Sequence, residues 1–127
     1  MSKHNTVQAL GEWITTADAT VTDISTFTTA PSKMYQITAR VQAINQDLTQ
    51  GAAYRRTAAF ITNAAGTLVQ IGATTAVESL ESNAAWDCTL DASGKDIRVR
   101  ATGAAITNIN WRADVDINEV GIGPGAS

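Results

Sequence analysis

From Ile109 to Ile117 the chain alternates without exception. Ile109, Trp111, Ala113, Val115 and Ile117 are apolar, and Asn110, Arg112, Asp114 and Asp116 between them are polar. Successive side chains of a strand point to opposite faces, so this run is a strand with one buried face and one wet face. A helix would scatter the same residues around its circumference.

Three further segments repeat the pattern. Lys33 to Asn45 puts Tyr35, Ile37, Ala39, Val41 and Ala43 on one face and Gln36, Thr38, Arg40 and Gln42 on the other. Ala85 to Leu90 turns Trp86, Cys88 and Leu90 inward, and Asp96 to Thr102 does so with Ile97, Val99 and Ala101. Asp91-Ala-Ser-Gly94-Lys-Asp96 joins the last two as a hairpin, with Gly94 free to take a positive φ. Asn63-Ala-Ala-Gly66 separates a strand over Tyr54–Thr62 from one over Thr67–Gly72, and Gly103 punctuates the approach to Ile109. Ala19–Thr29 supplies another strand, broken before Pro31. Thr74 to Ala85 reads as strand and loop, with a short helix capped by Thr75 as the alternative. Short strands at roughly ten-residue spacing predict an all-β fold, a two-sheet antiparallel sandwich.

The 127 residues suit one domain: an N-terminal arm over 1–18, the sandwich over 19–120 and a flexible C-terminal tail over 121–127. The 22 Ala and 18 Thr allow close packing of pleated layers. Net charge is −3, and the arginines are scattered among twelve acids, so no nucleic-acid partner is expected. No apolar run approaches the ~20 residues that span a bilayer, and no membrane partner is expected. The start has no apolar signal-peptide core, so synthesis in a cytoplasm without conventional export is expected. With Cys88 alone, no intrachain disulfide can form.

Chemistry needs convergent titratable groups, and few are offered. His4, the sole histidine, lies in the arm, where a general base is not held in place. Cys88 sits on an apolar strand face and reads as a small hydrophobe. Asp114-Val-Asp116-Ile-Asn118-Glu119 begins like a calcium loop, but Glu119 and Gly125 stand where such a loop needs Gly and Glu. No catalytic, cofactor or metal site is expected. The candidates are for interaction. Val7, Leu10, Trp13 and Ile14 make the arm apolar, and it lies either on its own domain or on a neighbouring subunit. Of Arg55 and Arg56, adjacent on a strand, one must point inward with Tyr54 and Phe60; it is paired internally or sits at a subunit contact. Trp86 and Trp111 belong to apolar faces, leaving Trp13 as the one tryptophan free for a sugar platform.

The order of these segments carries a resemblance. Tyr35-Gln-Ile-Thr-Ala-Arg-Val41, Ala53-Tyr-Arg-Arg-Thr-Ala-Ala-Phe60 and Gly66-Thr-Leu-Val-Gln-Ile-Gly72 come first. Ala85-Trp-Asp-Cys-Thr-Leu90, Ile97-Arg-Val-Arg-Ala-Thr-Gly103 and Ile109-Asn-Trp-Arg-Ala-Asp-Val115 follow. Together, from about Ala30 to Val120, they resemble the small jelly-roll or TNF-like β-sandwich domain of bacteriophage virion structural proteins. The resemblance implies a virion component made in the host bacterial cytoplasm, commonly a homotrimer, and supplies no catalytic residues. Such domains end tail fibres and needles or stand alone on capsids. Since only about thirty residues precede Ala30, a capsid decoration or cement protein bound to the major capsid protein is the first expectation. A tail- or fibre-associated protein with a receptor-binding sandwich is the second, and a carbohydrate-binding module the third.

Overall fold

The computed structural model describes residues 4–121, with side chains from residue 12 onward. Eight strands follow one another: β1 (His4–Thr16), β2 (Thr22–Thr28), β3 (Lys33–Asn45), β4 (Gly51–Thr62), β5 (Leu68–Glu81), β6 (Asp87–Ser93), β7 (Asp96–Thr102) and β8 (Ile109–Gly121). Two antiparallel sheets pack as a sandwich, one of five strands in the order β1-β8-β3-β4-β5 and one of three in the order β2-β7-β6. This is the all-β, two-sheet architecture that the alternation predicts. The chain folds back on itself in nested pairs, β1 with β8 and β2 with β7. These are the outer pairings of a jelly roll, whose eight strands form two Greek keys. Further in, β3 pairs with β4 through a tight loop, which puts β4 and β5 on the larger sheet and leaves the smaller with three strands.

The predicted inward residues form the core. Tyr35, Ile37, Val41, Trp86, Leu90, Ile97, Val99, Trp111, Val115 and Ile117 are all buried. Trp111 stands 6.1 Å from Trp86 and 6.5 Å from Tyr54, centroid to centroid. Its indole Nε1 donates to Thr16 Oγ1 at 2.9 Å, so its one polar atom is satisfied in the interior. Gly103 lies against the same hydroxyl: a Cβ there would stand 2.6 Å from Thr16 Oγ1 and 2.8 Å from the Asp18 carbonyl. At Gly94 φ is +60°, in the β6–β7 hairpin turn.

Three segments take a more definite form than the sequence gives them. The 1–18 segment contains β1, which pairs with β8 of its own domain from His4↔Val120 to Thr16↔Ile109. Strand β2 begins at Thr22, three residues after Ala19. Beyond Gly72, β5 continues as one strand to Glu81, with register shifts opposite Arg55/Arg56 and Thr57/Ala59. Thr74–Ala85 is thus strand as far as Glu81 and loop beyond it, as expected, and the alternative helix does not form. The expected tail lies, after Gly121, outside the described residues.

Edge strands invite unwanted pairing. The pairings of β1, β2 and β5 each carry a register shift. Strand β6 carries none, but two of its carbonyls are taken by side chains of the larger sheet: Cys88 accepts from Arg56 Nε at 3.0 Å and Leu90 from Thr74 Oγ1 at 2.7 Å.

Candidate functional site

Strand parity assigns the outer face of the five-stranded sheet, and register assembles it. Trp13 lies opposite Arg112, Arg112 opposite Gln42, Gln42 opposite Ala53 and Ala53 opposite Leu80, a row crossing all five strands. One step along, Asp114, Arg40, Arg55 and Glu78 form a second row with two carboxylates flanking two guanidiniums. At the far end Val120, Met34, Ile61 and Val69 form an apolar row.

Trp13 is 66% exposed, while Trp86 and Trp111 are buried. The Arg112 guanidinium lies over its ring at 5.3 Å from the centroid, a cation–π contact between cross-strand neighbours. Arg112 is itself steadied by Asp114, which accepts from Nη2 at 3.0 Å and from Nε at 3.3 Å. Small residues on β4, Gly51 and Ala53, lower the floor beside it. The result is a trough of about 430 Å³ with Trp13 as one wall and Gln42, Ile44, Asn110 and Arg112 among its lining. A second depression of about 160 Å³ is lined by Arg40, Gln42, Ala53, Arg55, Glu78 and Asp114. Gln42 and Ala53 belong to both, so the two run together.

The expected interaction residues part company. Trp13 is on the outer face, while Ile14, opposite Trp111, is half-buried against the core. The side chains of Val7 and Leu10 lie outside the described residues, as does that of His4. Arg55 points outward and is half-buried; its Nε is buried with no hydrogen-bond partner among the described residues. Arg56 is the inward one, and its partners are internal. Besides Cys88, it donates through Nη1 to the carbonyls of Glu78 at 2.6 Å and Arg55 at 3.3 Å, and through Nη2 to Asp87 at 3.2 Å. Its guanidinium also stands over the Tyr54 ring at 4.8 Å.

Gln42, Asn110, Arg112 and Glu78 were not singled out by sequence. Each is one polar residue among many on a wet strand face, and only the register of distant strands brings them together. Two buried groups below this face hold their protons more tightly than in water. Burial pushes the Cys88 thiol up to about 12, against the opposing pull of Arg56. Burial and the hydrogen bond that Tyr54 donates to Glu81 at 2.5 Å push the Tyr54 phenol far up as well. Among the described residues no group of three or more His, Cys, Asp and Glu side chains is placed to hold a metal ion.

No protein-family model matches the chain, and no curated protein matches it. Among solved structures, the crystal structure of the Acinetobacter baumannii phage AM24 tailspike protein is similar, with a TM-score of 0.48 and 7% sequence identity over 94% of this chain. The likeness spans 27% of the tailspike chain's length, and at this level it assigns neither family nor role.

Proposed function

We propose that the chain is a structural binding module of a phage particle, associated with the tail and working as a homotrimer. It makes its contact through the outer face of the five-stranded sheet. The phage assignment and the three-fold state rest on the sequence resemblance. The binding face rests on one observation: Trp13 stands two-thirds exposed at the wall of a trough that small β4 residues keep open. Large exposed aromatics over a concavity mark contact surfaces, because leaving them in water is unfavourable unless something covers them. The capsid-decoration alternative has less support. It rests on the short stretch before Ala30, and His4–Thr16 of that stretch is part of the larger sheet, paired to β8.

The test mixes purified protein with particles lacking it, and separately with host cells, and measures co-sedimentation. Binding to tails or to cells, with the heat resistance of the shell unchanged, is the expected outcome. Binding to the shell with added heat resistance replaces the tail reading by decoration, and binding to neither removes both. Sedimentation equilibrium at micromolar concentration should give three times the mass of the 13.3 kDa chain. A monomer at all concentrations removes the trimer.

A further inference from the structure

We infer that the outer face of the larger sheet holds a neutral glycan chain, with one pyranose ring stacked on Trp13 and the next lying along the Arg40–Arg55 row. This deepens the binding-face reading above and rests on the same surface. Three observations choose a sugar over other occupants. The first is the wall: Trp13 is two-thirds exposed, and the part of its ring that the Arg112 guanidinium leaves open is complementary to the axial C–H groups of a pyranose.

The second is the polar rim. Gln42 and Asn110 line the same trough, Asn110 with its Oδ1 already accepting from Thr15 Oγ1 at 2.8 Å, and an amide both donates and accepts. A hydrocarbon occupant would strip these groups of water without giving them partners, which is unfavourable. Sugar hydroxyls, which also donate and accept, replace the lost water.

The third is charge. The adjoining depression is lined by two guanidiniums, Arg40 and Arg55, and two carboxylates, Asp114 and Glu78. With Arg112 in the Trp13 trough, itself paired with Asp114, the track interleaves three guanidiniums with two carboxylates and carries a net charge of only +1. A polyanion would meet the carboxylates and a polycation the guanidiniums, whereas neutral hydroxyls find donors and acceptors in one row. Because Gln42 and Ala53 line both depressions, the track is continuous and suits a chain of sugars better than one ring.

The experiment reads intrinsic tryptophan fluorescence. Trp86 and Trp111 are buried, so the solvent-exposed part of the emission belongs to Trp13. Maltohexaose, cellohexaose and chitohexaose serve as probes at millimolar concentrations. The expected result is a saturable blue shift with at least one of them. Trp13→Ala should abolish the binding, read by calorimetry because the probe ring is gone. Gln42→Ala and Arg55→Met should each weaken it about tenfold, with circular dichroism unchanged in all three variants. Thr89→Ala, on the exposed face of the smaller sheet, should change nothing.

No saturable response to any of the three sugars, or equal binding by Trp13→Ala, overturns the glycan assignment. The two readings fail separately. Particle or cell binding that Trp13→Ala disrupts, with no response to sugars, keeps the binding face and gives it a protein partner. Sugar binding without particle or cell binding keeps the glycan track and removes the phage role.

Discussion

The guanidinium of Arg56, on β4 of the larger sheet, reaches the carbonyl of Cys88 on β6 of the smaller, Nε to O at 3.0 Å. The same side chain holds the Glu78 carbonyl on β5 at 2.6 Å, so it ties three strands at the seam between the sheets. Its ion pair with Asp87 adds little, because that carboxylate is 64% exposed. The carbonyls matter more: truncation leaves them without a partner. Arg56→Ala should therefore destabilise the fold by about 3 kcal/mol, and Arg56→Lys, which lacks the planar fork, by nearly as much. Urea unfolding checks this, and a loss in Arg56→Ala too small to resolve would show that the seam does not depend on it.

The two best-placed tryptophans should behave oppositely. Trp111, fully buried, should lose ~3–5 kcal/mol on replacement by alanine, as large-to-small core changes do. Trp13→Ala should change stability by no more than ~0.5 kcal/mol, being a surface substitution. Thr16→Val, which removes the acceptor of the Trp111 indole, should cost about 1–3 kcal/mol. Gly103→Ala presses on the same hydroxyl and should destabilise too. Thermal melts of the four variants test the set together.

Alkaline pH should unfold the protein in a defined window. The Cys88 thiol is raised from 9.0 to about 12 by burial, so the folded state keeps its proton where the unfolded chain gives it up. The stability linked to this group is complete below pH ~9 and is lost as pH rises from there towards 12. Tyr54 acts in the same direction above its ordinary value of 10.0. The urea midpoint should fall between pH 9 and 11, less steeply in Cys88→Ala. In the native state at pH 8 the thiol should resist Ellman's reagent and react on unfolding.

Ile106 sits at φ 51° and is 98% exposed. A β-branched residue in the left-handed region is strained by roughly 1–2 kcal/mol, and here no core contact offsets it. Ile106→Asn, which tolerates that backbone, should raise the melting temperature. A fall would show that the side chain is held by contacts on the folded protein.

Strands with one dry face were legible in the sequence. In β3, β6, β7 and β8 the inward residues, from Tyr35 to Ile117, repeat every second position because burial selects on one side only. Past Gly72, β5 was legible as strand and loop but not as one strand continuous with Leu68, since an edge strand that is wet on both faces has no period to show. The N-terminal strand was missed for another reason. The spacing of Val7, Leu10, Trp13 and Ile14 does not alternate, and the segment joins the sheet by backbone pairing to β8. Deleting residues 1–14 should accordingly lay bare the edge of β8 and promote aggregation, where removal of a loose arm would not. The candidate site was half visible. Trp13 stood out because the other two tryptophans had inward places, and parity sent one of Arg55 and Arg56 inward. The meeting of Gln42, Arg112 and Asn110 beside Trp13 is a matter of register between remote strands, which single-strand periodicity does not encode.

The pairing of His4 with Val120 brings the two ends of the described chain together at one end of the sandwich. Paired Cα atoms stand ~5 Å apart, so the chain enters and leaves at nearly the same point. That point is roughly 27 Å along the strands from the row holding Trp13 and Arg112. A longer polypeptide could carry this domain as an insertion, spliced in by two adjacent strands, with little disturbance on either side. A chain tethered from either end would hold its trough near the distal end, opening sideways from the face of the sheet.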